Sequence, residues 1–355
     1  MDYYIQEIQV DKGLQRTAGI KARDDIDTIF QSLDIKKITI PTNKKDRNSG
    51  KKIYKMYAHF AIYQTWKKQL KKLNKKDRLF IQFPVIEHSI LLAFLLNKIE
   101  KKGIQVILLI HDLELLRVAK RKDISLPKKI RLTLEEKGIL FNSTRVIVHN
   151  ENMKKYICEL GVKEDKVITL EIFDYLINGF DLKRLKVKRR TDPVIIAGNL
   201  RRHKAQYVYQ LPETYNYNLY GVDYDGEVNN RIVYHGSYAP EELPYVLEGG
   251  FGLVWDGVSV DTCSGVYGEY LKINNPHKTS LYLASGIPVM IWSKAALADF
   301  VKKYNVGITI ESLNDLNEVV GSITEQEYET MINNVNEISE KLRSGFFTKQ
   351  AIKQC

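Results

Sequence analysis

Along the first half of the chain, apolar runs of strand length alternate with stretches of helical period. "YYIQEIQV", "KKITI", "RLFIQF", "IQVILLI", "RVIVH" and "KVITL" read as strands, several apolar enough for a buried parallel sheet. "TAGIKARDDIDTIFQSL", the lysine-rich stretch before Arg78, "SILLAFLLNKIEKKG" and "NENMKKYICELGV" read as helices. The last opens on Asn150 or Asn152 and closes on Gly161. The pattern breaks over Phe173–Pro193, a linker-like stretch, and restarts with "VIIAG", "YNLYG", "IVYHG", "FGLVW" and "PVMIW". Helices are expected at "APEELPYVLEG" and from "TEQEYE" onward. Alternation in both halves predicts an α/β protein with two Rossmann-like domains facing a cleft. Their expected spans are 1–172 and 173–324, with a C-terminal helix at about 325–355 packing back on the first.

"NNPHKTSLYLASGIPVMIW" joins a short helix to a buried strand. Asn275 is a preferred N-cap, Pro276 suits the first helical position, and Gly286 fits the left-handed residue past the end. A helix start bearing His277 and Lys278 suits an anion, phosphate above all.

The 355 residues, 44% hydrophobic and 10% aromatic, are enough for two globular domains. No apolar run approaches the roughly 20 residues that span a bilayer. "MDYYIQEIQV" lacks the basic start and apolar core of a secretion signal, so a cytoplasmic protein is expected. Cys158, Cys263 and Cys355 form no disulfide or zinc pattern.

The net charge of +11 is concentrated between Lys36 and Arg78. That belt reads either as a solvated helix face or as a docking surface for anionic lipid or nucleic acid. Tyr54, Tyr57, Tyr63 and Trp66 interleave with it and are expected to form the buried face of the same helix.

Ligands of open α/β sheets bind beyond the carboxyl ends of strands. Polar residues follow the strands at His111-Asp112, at Gly198-Asn199 with Arg201, Arg202, His203 and Lys204, at Gly221-Val222-Asp223, and at Asp256 with Asp261. Converging cations and one helix start suit a nucleoside diphosphate. "DYD" at Asp223–Asp225 imitates a metal-holding Asp-x-Asp, but its glycine-flanked setting reads as a solvent loop. His111-Asp112 reads equally as a core histidine and a helix cap. P-loop and G-x-G-x-x-G motifs are absent from the sequence.

"VDKGLQRTAGIKARDD", "LLIHDLELLR", "EIFDYLI", "IIAGNLRRHKA" and the run from Phe251 to Phe300 resemble the bacterial galactofuranosyltransferases of O-antigen, capsule and exopolysaccharide assembly. More distantly the chain resembles the streptococcal glucosyltransferase that extends O-linked GlcNAc on adhesins. The resemblance implies a GT-B fold, a UDP-sugar donor with no metal or other cofactor, and inverting transfer, with a β-1,6 linkage expected. It implies that Thr17, Ala18 and Gly19 close over the donor. Arg202, Tyr220 to Asp223 and Pro276 to Leu281 (His277, Lys278, Thr279 and Ser280 among them) would hold UDP. Asn199, Asp256 and Asp261 complete the expected donor site, with Asp256 or Asp261 on galactofuranose or ribose hydroxyls. Asp112 is the first choice of base, His111 and Asp24 the next. Expected partners are the donor, a sugar acceptor carried on a lipid diphosphate and the anionic inner membrane surface. Nucleic acid is not expected, and a homo-oligomer is compatible with the sequence. Two other readings stay open: a UDP-glucose-dependent transferase, and a basic adaptor for membrane or nucleic acid without catalysis.

Overall fold

The computed structural model describes residues 1–9, 18–42, 52–86, 90–114 and 126–355. It contains two parallel six-stranded sheets, each in its own compact unit. One unit comprises Met1–Gln15, Ile26–Leu170 and Lys349–Cys355; the other comprises Arg16–Asp25 and Glu171–Thr348.

In the first unit β1 (Asp2–Gln9), β2 (Lys36–Thr42), β3 (Arg78–Phe83), β4 (Gln105–Ile110), β5 (Arg145–Val148) and β6 (Val167–Thr169) are ordered β2-β1-β3-β4-β5-β6. From Leu79 to Phe83 and from Val106 to Ile110 every residue is buried, as apolar runs broken only by Gln82 require. The connecting helices are α1 (Ala18–Ser32), α2 (Lys52–Leu70), α3 (Ile90–Lys101), α4 (Leu126–Phe141) and α5 (Glu151–Glu159). The crossovers through α2, α3 and α4 all advance in one direction along the sheet, so right-handed connection lays these helices on one face. There α3 packs against both α2 and α4. α4 carries no clean sequence signal of its own and is not anticipated above. Asn150 caps α5 by accepting from the Met153 N–H at 3.0 Å.

α2 departs from expectation. Of its described aromatics only Trp66 is fully buried; Tyr57 is 71% exposed and Tyr63 half-buried. The helix spends its inward positions on Trp66 and Leu70 and turns Tyr57 and Phe60 to solvent. The side chain of Tyr54, like the lysines from Lys44 to Lys51, lies outside the described residues.

The second unit orders its strands β12-β11-β10-β7-β8-β9. These are β7 (Val194–Asn199), β8 (Tyr217–Val222), β9 (Ile232–Tyr234), β10 (Phe251–Val254), β11 (Val289–Trp292) and β12 (Gly307–Ile310). Its helices are α6 (Leu243–Val246), α7 (Gly265–Tyr270), α8 (His277–Ala284), α9 (Ala298–Tyr304), α10 (Leu316–Ser322) and α11 (Glu325–Arg343), while α12 (Phe346–Lys353) begins here and is grouped with the first unit from Lys349. A capping box between Thr324 and Glu327 starts α11. α11 packs on α8 inside this unit, and the chain joins the first unit only from Lys349. Among the described residues no helix is long and apolar enough to cross a membrane.

Candidate functional site

Three adjacent strands, β10, β7 and β8, end side by side, and their last residues and the loops beyond them carry Asn199, Arg202, Tyr220 to Asp223, Asp256 and Asp261. β7 and β8 approach so closely that a Cβ on Gly221 would lie 1.8 Å from the Gly198 carbonyl oxygen. Only glycine at 221 permits that approach. The chain then turns through Asp223, in the left-handed region at φ 61°. Its carboxylate pairs with the Arg201 guanidinium at 2.6 Å, and Asp225 pairs with Arg202 at 3.2 Å. The Arg202 guanidinium lies 4.0 Å above the Tyr209 ring, which stacks on Tyr224. "DYD" is thus an arginine-paired turn. Asn199 accepts from the Arg201 N–H at 3.1 Å and shapes the same loop. A backbone bridge from Ala205 to Gly257 draws this loop against the one that follows β10.

Lys278 of α8 is the cation bonded to that second loop. Its ammonium donates to the Trp255 carbonyl and to Asp256, each at 3.0 Å, and is 17% exposed. Asp256 is therefore bound to Lys278. Asp261 is held in its own loop by Ser259 and by the Asn314 amide at 2.8 Å.

The start of α8 differs from expectation by one residue. Pro276 (φ −67°, ψ 128°) is the N-cap and His277 the first helical residue. Asn275 does not cap, because its amide donates to the Glu171 carbonyl at 2.9 Å. Pro276 has no side chain to bond the first turn, so the His277 and Lys278 N–H groups begin the helix without a side-chain cap. Past the far end Gly286 is left-handed at φ 72°, as expected.

His277 is not a cation. Its ring packs between Phe173 (centroids 6.2 Å apart) and Tyr175 (5.1 Å), and its Nε2 is enclosed. Burial, reinforced by Lys21, pushes its pKa down to about 3. Lys21 of α1 is the cation that sequence reading missed. It pairs with Asp25, donates to the Leu176 carbonyl at 2.6 Å and lies 4.6 Å from the Tyr175 ring centroid. Burial lifts Asp25 to about pH 6 against the pull of Lys21. Nothing local marks Lys21, since "KARDD" reads as an ordinary helix face.

Several other expected donor residues have enclosed side chains. Tyr220 is buried, donates to the Val246 carbonyl at 3.1 Å and stacks on His235 at 4.6 Å. The side chains of Thr279, Ser280 and Leu281 are enclosed, and Val222 is half out in solvent. Ala18 and Gly19 open α1 in the segment grouped with this unit, and Thr17 lies outside the described residues.

The candidate bases occupy other places. His111 and Asp112 follow β4 in the first unit. The His111 Nε2 meets the Gln82 amide oxygen at 2.6 Å, while the Gln82 amide donates to Asp27 at 2.7 Å. This chain orients the imidazole with Nε2–H donating. One Asp112 oxygen accepts from the Leu113 N–H at 2.9 Å. Asp24 is exposed on α1. Among the described residues no group of His, Cys, Asp and Glu is arranged to hold a metal ion.

Comparison with known proteins gives this geometry a context. Residues 2–172 match the family described as "Glucosyltransferase 3-like, N-terminal domain", and residues 194–355 match its C-terminal domain. The chain is 34% identical to the beta-1,6-galactofuranosyltransferase WbbI of Escherichia coli, over 99% of this chain and 97% of that one. It is 26% identical to Glucosyltransferase 3 of Streptococcus gordonii over 72% of each. Among solved structures it resembles sucrose-phosphate synthase from Thermosynechococcus elongatus (TM-score 0.61, 12% identity, covering 99% and 97% of the two chains). It also resembles Anabaena HepE in complex with UDP and glucose (TM-score 0.55, 13% identity, 99% and 98%). With its two parallel α/β units, the chain belongs to the glucosyltransferase 3-like family and is a glycosyltransferase of the GT-B fold class.

Proposed function

We propose that the chain transfers galactofuranose from UDP-galactofuranose to a sugar hydroxyl, with inversion, to give a β-1,6 linkage in cell-surface polysaccharide. The observation that carries this reading is the 34% identity with WbbI along 99% of the chain. The diphosphate lies at the first turn of α8, which starts without a side-chain cap, beside Lys278. Arg201 and Arg202 exchange their aspartate partners for phosphate oxygens, and Asp256 and Asp261 serve sugar or ribose hydroxyls. As the anomeric C–O bond breaks, its electron pair passes to the departing UDP, and these cations stabilise the charge without a metal ion. The acceptor oxygen bonds the opposite face of the anomeric carbon and gives its proton to a base. Asp112 is the first candidate, ahead of His111 and Asp24. The acceptor is carried on a lipid diphosphate at the inner face of the membrane.

Mass spectrometry of products from a panel of UDP-sugars tests the donor. Transfer from UDP-galactofuranose is expected; transfer only from UDP-glucose supports the reading that Glucosyltransferase 3 of S. gordonii suggests. Asp112→Asn is expected to keep UDP affinity and to lower turnover by roughly a hundredfold or more. Full activity in that variant moves the role to His111.

A further inference from the structure

The helical face formed by α2, α3 and α4 exposes apolar side chains in rows. On α2, Tyr57, Phe60, Gln64 and Lys67 recur at helical spacing along one exposed stripe, which continues into Lys68, Lys71 and Lys72. On α3 the exposed stripe is Phe94 (54% exposed), Lys98 and Lys101. On α4 it is Ile130, Leu134 (63% exposed) and Phe141. The first two helices thus repeat one order, aromatic in the amino half and lysine in the carboxyl half. Both are crossovers between parallel strands and run the same way, so like ends are neighbours. The Lys98 ammonium sits 4.4 Å from the Phe94 ring centroid, which couples the two chemistries.

Solvation explains the lysines but not the exposed Phe60, Phe94, Ile130 and Leu134. Water disfavours apolar side chains clustered on one face, and such clusters mark interaction surfaces. The charge selects the partner. α2 contains no carboxylate and α3 only Glu100. A second copy of the chain would therefore set two lysine-rich faces against each other. Phosphates above apolar chains offer both complements at once, lysines meeting head groups while aromatic and aliphatic tips enter the interface.

We propose that this face docks the enzyme on an anionic lipid bilayer by inserting Phe60, Phe94 and Leu134 beneath a layer of lysine–phosphate contacts. The proposal deepens the membrane location given above by naming the surface, and it makes no use of the donor site.

Co-sedimentation of the full chain with phosphatidylcholine vesicles, with and without phosphatidylglycerol, tests it. Binding is expected only with phosphatidylglycerol. Replacing Lys67, Lys68, Lys71 and Lys72 by Gln should lower partitioning on the order of several hundredfold, at about fivefold per lysine. Replacing the same four by Arg should preserve it. Phe60→Ser with Phe94→Ser should lower it by roughly tenfold or more, most visibly at high salt. UDP uptake, measured by calorimetry, should be the same in all variants, so loss of donor binding and loss of docking are told apart. The proposal is overturned by no preference for phosphatidylglycerol, by undiminished binding of the Gln variant, or by binding of RNA but not of vesicles. Loss of a dimer in the Phe variant without loss of vesicle binding also overturns it, because the face would then join two copies.

Discussion

Two adjacent residues at the start of α8 behave in opposite ways because of what packs over them. Lys278 keeps its ammonium at the surface edge, held by Asp256 and the Trp255 carbonyl. His277 is enclosed by Phe173 and Tyr175 and stays neutral. Lys278→Gln is therefore expected to weaken UDP binding roughly 10- to 100-fold, the worth of one charge-assisted hydrogen bond, as read by calorimetry. His277→Gln should change UDP affinity far less. Its effect lies in acid stability. A histidine whose folded pKa is depressed contributes stability above its unfolded value that is lost as pH falls from about 6.5 towards about 3. Urea midpoints of the wild type should therefore fall more steeply between pH 7 and pH 5 than those of the variant.

At the scale of elements, α12 is started from far away in sequence. Asp174 accepts from the Phe347 N–H at 3.2 Å and the Thr348 N–H at 2.7 Å, both oxygens serving one helix start. Burial raises this carboxyl to about 7, the N–H groups only partly opposing it. The sign is the reverse of that for His277. With the folded pKa raised, the folded state holds the extra proton, and stability declines as pH rises from about 4 to about 7. Asp174→Asn removes one acceptor and should cost on the order of 1–3 kcal/mol. It also removes the titration, so its penalty should be larger at pH 5 than at pH 8. Denaturant melts at the two pH values check this, and a pH-independent penalty counts against it.

At the scale of the whole molecule, donor binding should appear as stability. UDP at about a hundred times its dissociation constant adds roughly 2.7 kcal/mol to the unit that binds it, a rise of a few degrees in midpoint. Because lysine and arginine, rather than a metal, are proposed to meet the diphosphate, EDTA should leave both that rise and turnover within about twofold. Thermal melts and product assays with EDTA check this; a loss restored by magnesium would remove Lys278 and the arginines from their proposed role.

The alternation of strand and helix, the polar loops beyond β7, β8 and β10, and the Gly286 end of α8 were legible in the sequence. Each depends on a period or a turn residue within a few positions. The resemblance densest from Phe251 to Phe300 marked the family by the same local text. Only the tertiary structure brought Lys21 beside His277, turned Asn275 away to Glu171 and made Asp174 the cap of α12. It also faced Phe60 outward while Trp66 took the core. Those outcomes depend on burial and on partners from remote parts of the chain, which no local pattern records.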